Sequence, residues 1–296
     1  MQTLIYYFQL LKFRLSFIVV FSSGIGYMLG VEDFVFSEFV ILIIGGFLVT
    51  GSANSFNQIL ERNFDKLMSR TSKRPLPKNN ISLHRAIIFS FVLAFLGLYL
   101  LNLIHPGNGP YSIISKSSFY GLVSIIIYVL LYTPLKRIST ISIFVGAIPG
   151  AIPFMLGHVA ATDSVSSFSV LLFFIQFLWQ FPHFISISWV LDNEYKKAGF
   201  KMMYGGEKGK YPAVISLFTS ILLFLSTLLP SFYSIEMFSL TIYSSFLVFF
   251  LGIWFCLQSY FLCSICDDTS AKKLMISSFF YLPLLQVVYV VDKYLF

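Results

Sequence analysis

The chain has 296 residues, of which 57% are hydrophobic and only 11% are charged, and its mean hydropathy is +0.82. Because these few polar residues could not cover the surface of a soluble globule of this size, the composition excludes a soluble globular protein. It predicts a polytopic membrane protein. The formal net charge of +7 requires no nucleic acid as partner, because a membrane protein retains positive charge on one side.

Apolar stretches of spanning length recur along the whole chain. We predict nine transmembrane helices, near 13–32, 37–58, 83–104, 113–132, 138–158, 167–190, 212–230, 236–258 and 272–292. No soluble domain or long linker interrupts them. We therefore expect residues 1–296 to form a single all-α integral membrane domain, with about nine helices around a central cavity.

Lysine and arginine are divided unequally between the two sides of these spans. Of the 20 such residues, all but Lys116 and Lys293 fall on the side of the N-terminus and of the long loops after the second and sixth spans. By the positive-inside rule, the N-terminus and these loops are cytoplasmic and the C-terminus lies outside. We expect a multi-pass protein of the cell (inner or plasma) membrane, embedded in its lipid bilayer.

Three polar residues recur every fourth position where the second span closes: Asn57, Glu61 and Asp65. On a helix they stack on one face, drifting by about 40° per step and spanning about 12 Å. Magnesium prefers oxygen ligands and usually reaches its site through a few carboxylates plus substrate phosphate oxygens. Together with the basic run 70–74, this face predicts a catalytic seat for a divalent metal and a diphosphate.

Arg70, Lys73 and Arg74 are the candidates for neutralising charge on a departing diphosphate. The alternative is an amphipathic interfacial helix whose basic residues meet anionic lipid. Asn54 and Asn57 weigh against it, since an unpaired amide within a span is costly and should face a cavity.

A second polar region begins inside the sixth span. Gln180 and His183 flank Pro182, which removes a helical donor and frees a carbonyl, and an acidic loop with Asp192 and Glu194 follows. A histidine near a span end is often only a structural hydrogen-bonding residue. Here the clustering within one turn and the acidic loop beyond it favour a functional role.

Three classes of function fit nine spans with polar residues: an enzyme, a secondary transporter or lipid carrier, and a structural subunit of a respiratory complex. An acidic triad at helical spacing that faces a basic loop has little use in transport. The pattern therefore favours intramembrane prenyl transfer from a diphosphate.

Two stretches resemble a known family. Residues 54–77, with their NQ...E...D...M.RT..RPLP pattern, and residues 179–200, with WQFPHF...W....Y..AGF, resemble the two motifs of the protoheme IX farnesyltransferase (heme O synthase) branch of the UbiA-type intramembrane prenyltransferases. Gln58 and Glu61 favour this branch over other members. Two departures stand out: Phe13 replaces a usual proline, and residues 192–195 read DNEY where the family has REDY, so Glu194 aligns with the usual aspartate.

This resemblance implies a UbiA-type fold and a specific reaction. A farnesyl group would pass from farnesyl diphosphate to a vinyl group of heme B, with addition of water, giving heme O and diphosphate for terminal oxidases. Heme A synthase or oxidase assembly factors are the candidate partners. The nearest alternative is prenyl transfer to an aromatic acceptor at the same metal site.

The resemblance also implies roles for individual residues. The Mg²⁺ ligands would be Asn57, Glu61, Asp65 and Glu194, with Asp192 assisting. The diphosphate would be bound by Arg70, Lys73, Arg74 and Lys196. The candidates for binding heme or the other substrate are Asn54, Gln180, His183 and Tyr195.

Overall fold

The computed structural model describes residues 2–107, 113–236 and 238–295, with the backbone alone at positions 2 and 3. This part of the chain folds into helices joined by turns and a few longer loops. The helices are α1 Gln2–Leu11, α2 Phe13–Gly30, α3 Phe36–Asp65, α4 Leu83–Asn102, α5 Lys116–Ile126, α6 Thr133–Ile138, α7 Ser142–Thr162, α8 Ser167–Val190, α9 Asp192–Lys197, α10 Lys210–Phe232, α11 Ile242–Ile265 and α12 Asp268–Leu295. A π-helical segment, Ile127–Tyr132, joins α5 to α6.

Within the described ranges, nine helices are long and apolar enough to cross a membrane: α2, α3, α4, the continuous α5–α6, α7, α8, α10, α11 and α12. The prediction of an all-α polytopic membrane protein is thus confirmed. Hydropathy misplaced several helix ends. The predicted span 37–58 continues as helix to Asp65, and the predicted span 236–258 begins at Ile242, where Thr241 accepts a hydrogen bond from the Ser244 amide. Hydropathy marks the lipid-immersed stretch, whereas backbone hydrogen bonds and caps decide where a helix ends.

The first helix, α1, has no counterpart among the predicted spans, because its ten residues are too few to cross a bilayer. Its end is buried against α3 and the chain after it, where Leu10 packs with Ile59, Leu76 and Ile81. Lys12 then adopts a left-handed conformation with φ 47° and starts α2 in a new direction.

The described chain divides into two compact units. The first comprises Met1–Ser164 and Asn193–Lys201, and the second comprises Val165–Asp192 and Met202–Phe296. In the first unit α2 packs against α7 and α3 against α4. In the second, α8 and α12 are joined by the bond from Trp179 Nε1 to the Ser278 carbonyl at 3.0 Å, and α10 and α12 by the bond from the Tyr289 hydroxyl to the Thr227 carbonyl at 2.6 Å. A single domain over residues 1–296 stays a prediction.

Glycines allow α2 and α7 to approach closely. A Cβ built on Gly157 would collide with the Ser23 carbonyl, and one on Gly26 with the Phe154 carbonyl. The small residues of these spans therefore act in backbone packing, as they commonly do between membrane helices.

Candidate active site

The acidic face of α3 is buried as the four-residue spacing predicts. Asn57, Glu61 and Asp65 are 1%, 6% and 0% exposed, whereas Leu60 and Lys66 on other faces of the same turns are exposed. Carboxylates so deeply buried need compensating partners.

Each of these three side chains has a cationic partner within the first unit. Lys12 Nζ donates to Asn57 Oδ1 at 3.0 Å, Lys136 Nζ to Glu61 Oε1 at 2.8 Å, and Arg74 Nη1 to Asp65 Oδ2 at 2.8 Å. The other end of the Asn57 amide donates to Thr133 Oγ1 at 3.2 Å. Three cations therefore lie against one helix face, at the distances of charge-assisted hydrogen bonds.

The Lys12 side chain is affected by the other charged side chains at the acidic face. Burial and the nearby Arg74 charge lower its pKa to about 7, with a further contribution from Lys136, while Glu61 and Asp65 oppose the shift. Because burial and neighbouring cations disfavour the charged form of Lys12, an anion bound beside it would stabilise the ammonium.

The donor set fits a magnesium ion shared with a substrate. Asp65 Oδ2 is held by Arg74, whereas Asp65 Oδ1 is buried and has no hydrogen-bond partner among the described residues. Among the residues that the structure describes, no three or more His, Cys, Asp or Glu side chains lie close enough together to bind a metal ion by themselves. Magnesium does not require one, because it is commonly bound through one or two carboxylates plus substrate phosphates.

The basic loop after α3, residues 66–82, folds back over this face. Thr71 Oγ1 donates to the Asp65 carbonyl at 2.9 Å and the Arg74 amide to the Thr71 carbonyl at 3.0 Å, so the loop turns tightly and places Arg74 on Asp65. Arg70 and Lys73 are exposed. Of the three predicted diphosphate ligands in the loop, Arg74 forms an ion pair with the acidic face.

The predicted acidic loop after the sixth span is helical at its start. Glu194, in the short helix α9, accepts bonds from the Ser69 amide and hydroxyl at 2.6 and 2.8 Å and from Lys197 Nζ at 3.0 Å. The bonds from Lys197 and Ser69 lower the pKa of Glu194 to about 2. This carboxylate therefore lies beside the basic loop in the first unit.

Residues that follow Glu194 in the chain also contact α3 and α6. Phe200 packs against Phe64 of α3, and the Lys201 amide donates to the Lys136 carbonyl at 2.6 Å. Tyr195 is half-buried and Lys196 is exposed, while Asp192 is buried and belongs to the second unit.

The predicted heme-binding residues of α8 lie in the second unit. His183 Nδ1 is 2.8 Å from Ser278 Oγ, and its ring stacks on Trp179 with centroids 4.3 Å apart. Gln180 is buried. These contacts are those of a histidine that forms structural hydrogen bonds. A role of His183 in binding heme stays a prediction.

Asn54, also predicted to bind substrate, uses its amide within the fold. Its Nδ2 donates to Ser16 Oγ at 3.1 Å and to the Leu11 carbonyl at 3.5 Å. These bonds join α3 to the junction of α1 and α2.

A cavity of about 390 Å³ adjoins the acidic face within the first unit. Its walls are mainly apolar, from α3, α6 and Phe200, and they include Glu61. Arg137 lies over the Phe64 ring, 4.2 Å from its centroid, at one wall. Apolar walls next to a carboxylate suit a substrate with a hydrocarbon part and a charged part.

Residues 18–283 match the UbiA prenyltransferase family. This chain belongs to that family. A farnesyl-transferring relative is similar over nearly its whole length: a protein of Flavobacterium psychrophilum named protoheme IX farnesyltransferase is 41% identical over 290 residues, which are 97% of this chain and 94% of the relative. The predicted resemblance to the UbiA-type prenyltransferases and to their protoheme IX branch is confirmed.

Solved structures share the UbiA-type fold. A digeranylgeranylglyceryl phosphate synthase superposes with a TM-score of 0.80 over 100% of both chains at 20% identity. A UbiA homolog from Archaeoglobus fulgidus, bound to DMAPP and Mg²⁺, superposes with a TM-score of 0.65 over 96% of this chain and 99% of the other, at 14% identity. At these identities the likeness establishes the fold alone.

Sequence reasoning gave no role at this candidate site to four residues that the structure places there: Lys12, Thr133, Lys136 and Ser69. Lys12 and Lys136 carried a usable signal, because a lysine at the margin of an apolar span needs an anionic or polar partner. Which partner it contacts depends on the packing of helices far apart in the chain, and one sequence does not contain that information.

Proposed function

We propose that this UbiA-family chain transfers the farnesyl group of farnesyl diphosphate to a vinyl group of heme B, with addition of water, and releases heme O and diphosphate. The observation that carries the proposal is the buried face of α3, where Asn57, Glu61 and Asp65 are each matched by a cation. The 41% identity to a protein named protoheme IX farnesyltransferase supports heme as the acceptor.

Activation of the donor is assigned to the acidic residues of α3 and α9. Asn57, Glu61 and Asp65 would hold Mg²⁺, with Glu194 as a further ligand and Asp192 assisting. Bound Mg²⁺ would supply Lewis-acid stabilisation of the diphosphate oxygens. The orphaned Asp65 Oδ1 supports this assignment.

Catalysis is then mainly electrostatic. When the bond between the farnesyl carbon and oxygen breaks, its electron pair leaves with the diphosphate, and preorganised cations stabilise that developing charge. Arg74, Lys12 and Lys136 already lie at the acidic face, and the exposed Arg70, Lys73 and Lys196 would complete the set. The allylic cation bonds to the heme vinyl carbon, and water then adds to the resulting cation and loses one proton to solvent, which leaves the hydroxyl group.

Acceptor binding is assigned to Asn54, Gln180, His183 and Tyr195, with His183 orienting heme. Tight ligation of the heme iron would slow turnover, because heme is a substrate here. The stacked and hydrogen-bonded state of His183 supports a fixed ring that could orient a planar ligand.

The chain is a multi-pass membrane protein. We place it in the cell (inner or plasma) membrane, with the N-terminus and site-bearing loops cytoplasmic and the C-terminus outside, because Lys and Arg are concentrated on one side. Heme A synthase or oxidase assembly factors remain the proposed partners.

A competition between acceptors tests this function. Purified protein is incubated with farnesyl diphosphate, Mg²⁺, heme B and a hydroxybenzoic acid, and the products are identified by mass. We expect heme O, and no product after chelation of the metal or in Asp65→Asn. Formation of only the prenylated aromatic acid would show that heme is the wrong acceptor.

A further inference from the structure

The junction of α1 and α2 is a sharp elbow at Lys12. Its φ of 47° lies in the left-handed region, which residues other than glycine rarely adopt. Such a conformation persists only when surrounding contacts hold it. Contacts from α3 help to hold this elbow.

Two buried amides of α3, one helical turn apart, bind the elbow. Gln58 Nε2 donates to the carbonyls of Gln9 and Leu10 at 3.2 and 2.9 Å, which are among the last carbonyls of α1. Asn54 Nδ2 donates to the Leu11 carbonyl and to Ser16 Oγ. Gln58 is 0% and Asn54 2% exposed. Their bonds add to two local ones, from Ser16 Oγ to the Leu11 carbonyl at 2.7 Å and from the Lys12 amide to the Gln9 carbonyl at 3.3 Å. A buried carbonyl at a helix end is costly when it has no donor.

The elbow places the Lys12 side chain at the acidic face. Its Nζ lies 3.0 Å from Oδ1 of Asn57, the residue directly before Gln58. The charges of Arg74, Glu61, Lys136 and Asp65 all act on this ammonium. The same stretch of α3 therefore binds the elbow through Asn54 and Gln58. It also accepts the hydrogen bond of Lys12 through Asn57.

We propose that Gln58 and Asn54 are positioning residues that hold the α1–α2 elbow so that the Lys12 ammonium is fixed where the diphosphate binds. This inference rests on the proposed function, from which it takes the diphosphate. It gives Asn54 a positioning role in addition to the acceptor contact proposed for it above. It also explains why an amide, rather than an apolar residue, occupies position 58 inside a span.

A double-mutant cycle tests the inference with inorganic diphosphate as the probe. The full chain in detergent is titrated calorimetrically with diphosphate in Mg²⁺, for wild type, Gln58→Met, Lys12→Met and the double variant. Methionine keeps the volume of Gln58 and removes its donor. Each single variant should bind about tenfold to a hundredfold more weakly, and the double variant no more weakly than Lys12→Met.

Ser52→Ala is the matched control, because it removes another buried bond of α3, from Ser52 Oγ to the Ser90 carbonyl at 2.8 Å, away from the elbow. It should bind diphosphate as wild type does. If Gln58→Met does not fold, Asn54→Ala loosens only the second set of bonds and should give a smaller loss, again absent in the Lys12→Met background.

Wild-type affinity in Gln58→Met and Asn54→Ala, or losses that multiply with that of Lys12→Met, would overturn the inference. Heme O formation is measured in the same preparations. A wild type that binds diphosphate and shows the coupling but makes no heme O would contradict the proposed function alone.

Discussion

Glu61 and Asp65 are buried carboxylates held by Lys136 and Arg74. The desolvation cost of such pairs commonly equals or exceeds their attraction, so a buried pair is weak evidence for a role in stability. Two pairs and a lysine–amide bond on one face of one helix are better explained by function. They leave acids available to a metal and cations available to a phosphate once both bind.

Replacing Glu61 by Gln should lower the rate of heme O formation by at least about a hundredfold, since a preorganised electrostatic group of the site is lost. The rate is measured with saturating farnesyl diphosphate and heme B. Glu38→Gln is the control, because Glu38 lies at the opposite end of α3, where it accepts a bond from the Tyr27 hydroxyl at 3.1 Å. Equal rates in Glu61→Gln and wild type would remove this acid from the mechanism.

Lys136→Met should destabilise the protein by about 3–5 kcal/mol, because it leaves Glu61 buried without its ion-pair partner. Thermal unfolding in detergent measures the effect. Adding Glu61→Gln removes the unpaired charge, so the double variant should regain much of the stability while its activity stays low. A double variant no more stable than Lys136→Met would contradict the pairing.

At the scale of elements, α3 joins the membrane span to the site. Hydropathy predicted its apolar part and the four-residue spacing predicted its acidic face, both without a structure. Hydropathy alone ended the span at residue 58, whereas the helix continues to Asp65, as the stacking of the three polar residues requires. The pattern did not reveal that Ser69 and α9 meet at Glu194, because this contact joins residues 125 apart in the chain, which local periodicity does not encode.

Helix α9 carries both candidate acids for the second metal motif. We expect Glu194→Gln to raise the Mg²⁺ concentration needed for half-maximal activity more than Asp192→Asn does. The reason is that Glu194 belongs to the same compact unit as the α3 acids and lies beside the basic loop. Magnesium titrations of both variants test this, and the opposite order would assign the motif to Asp192.

The close approach of α2 and α7 is a second property of elements. Gly157→Ala should destabilise the protein by about 1–3 kcal/mol or more, as overpacking does, because its Cβ would meet backbone atoms of Ser23 and Tyr27. Gly46→Ala is the control, since a Cβ there would approach only Val20 Cγ2, at 3.6 Å. Thermal unfolding of the two variants should differ clearly, and similar midpoints would show that α2 and α7 can separate at no cost.

At the scale of the whole molecule, composition predicted a membrane protein and the apolar stretches predicted its nine spans, because lipid leaves little choice other than apolar helices of spanning length. The short helix α1 was not predicted, because it is too short to span the membrane and hydropathy does not mark it. Only part of the cationic side of the site was predicted: Arg74 lies in the basic loop close in the chain, whereas Lys12 and Lys136 reach α3 from positions 45 and 75 residues away. Acids at helical spacing are visible in one sequence, and partners distant in the chain are not.

The central claim is that this face of α3 promotes cleavage of the farnesyl carbon–oxygen bond and transfer to heme. The most direct measurement is a reaction of purified protein with farnesyl diphosphate, heme B and Mg²⁺ in oxygen-18 water, with mass analysis of both products. The account predicts equal amounts of heme O and diphosphate, one oxygen-18 atom in heme O and none in diphosphate. Oxygen-18 in the diphosphate, or diphosphate released without heme O, would contradict it.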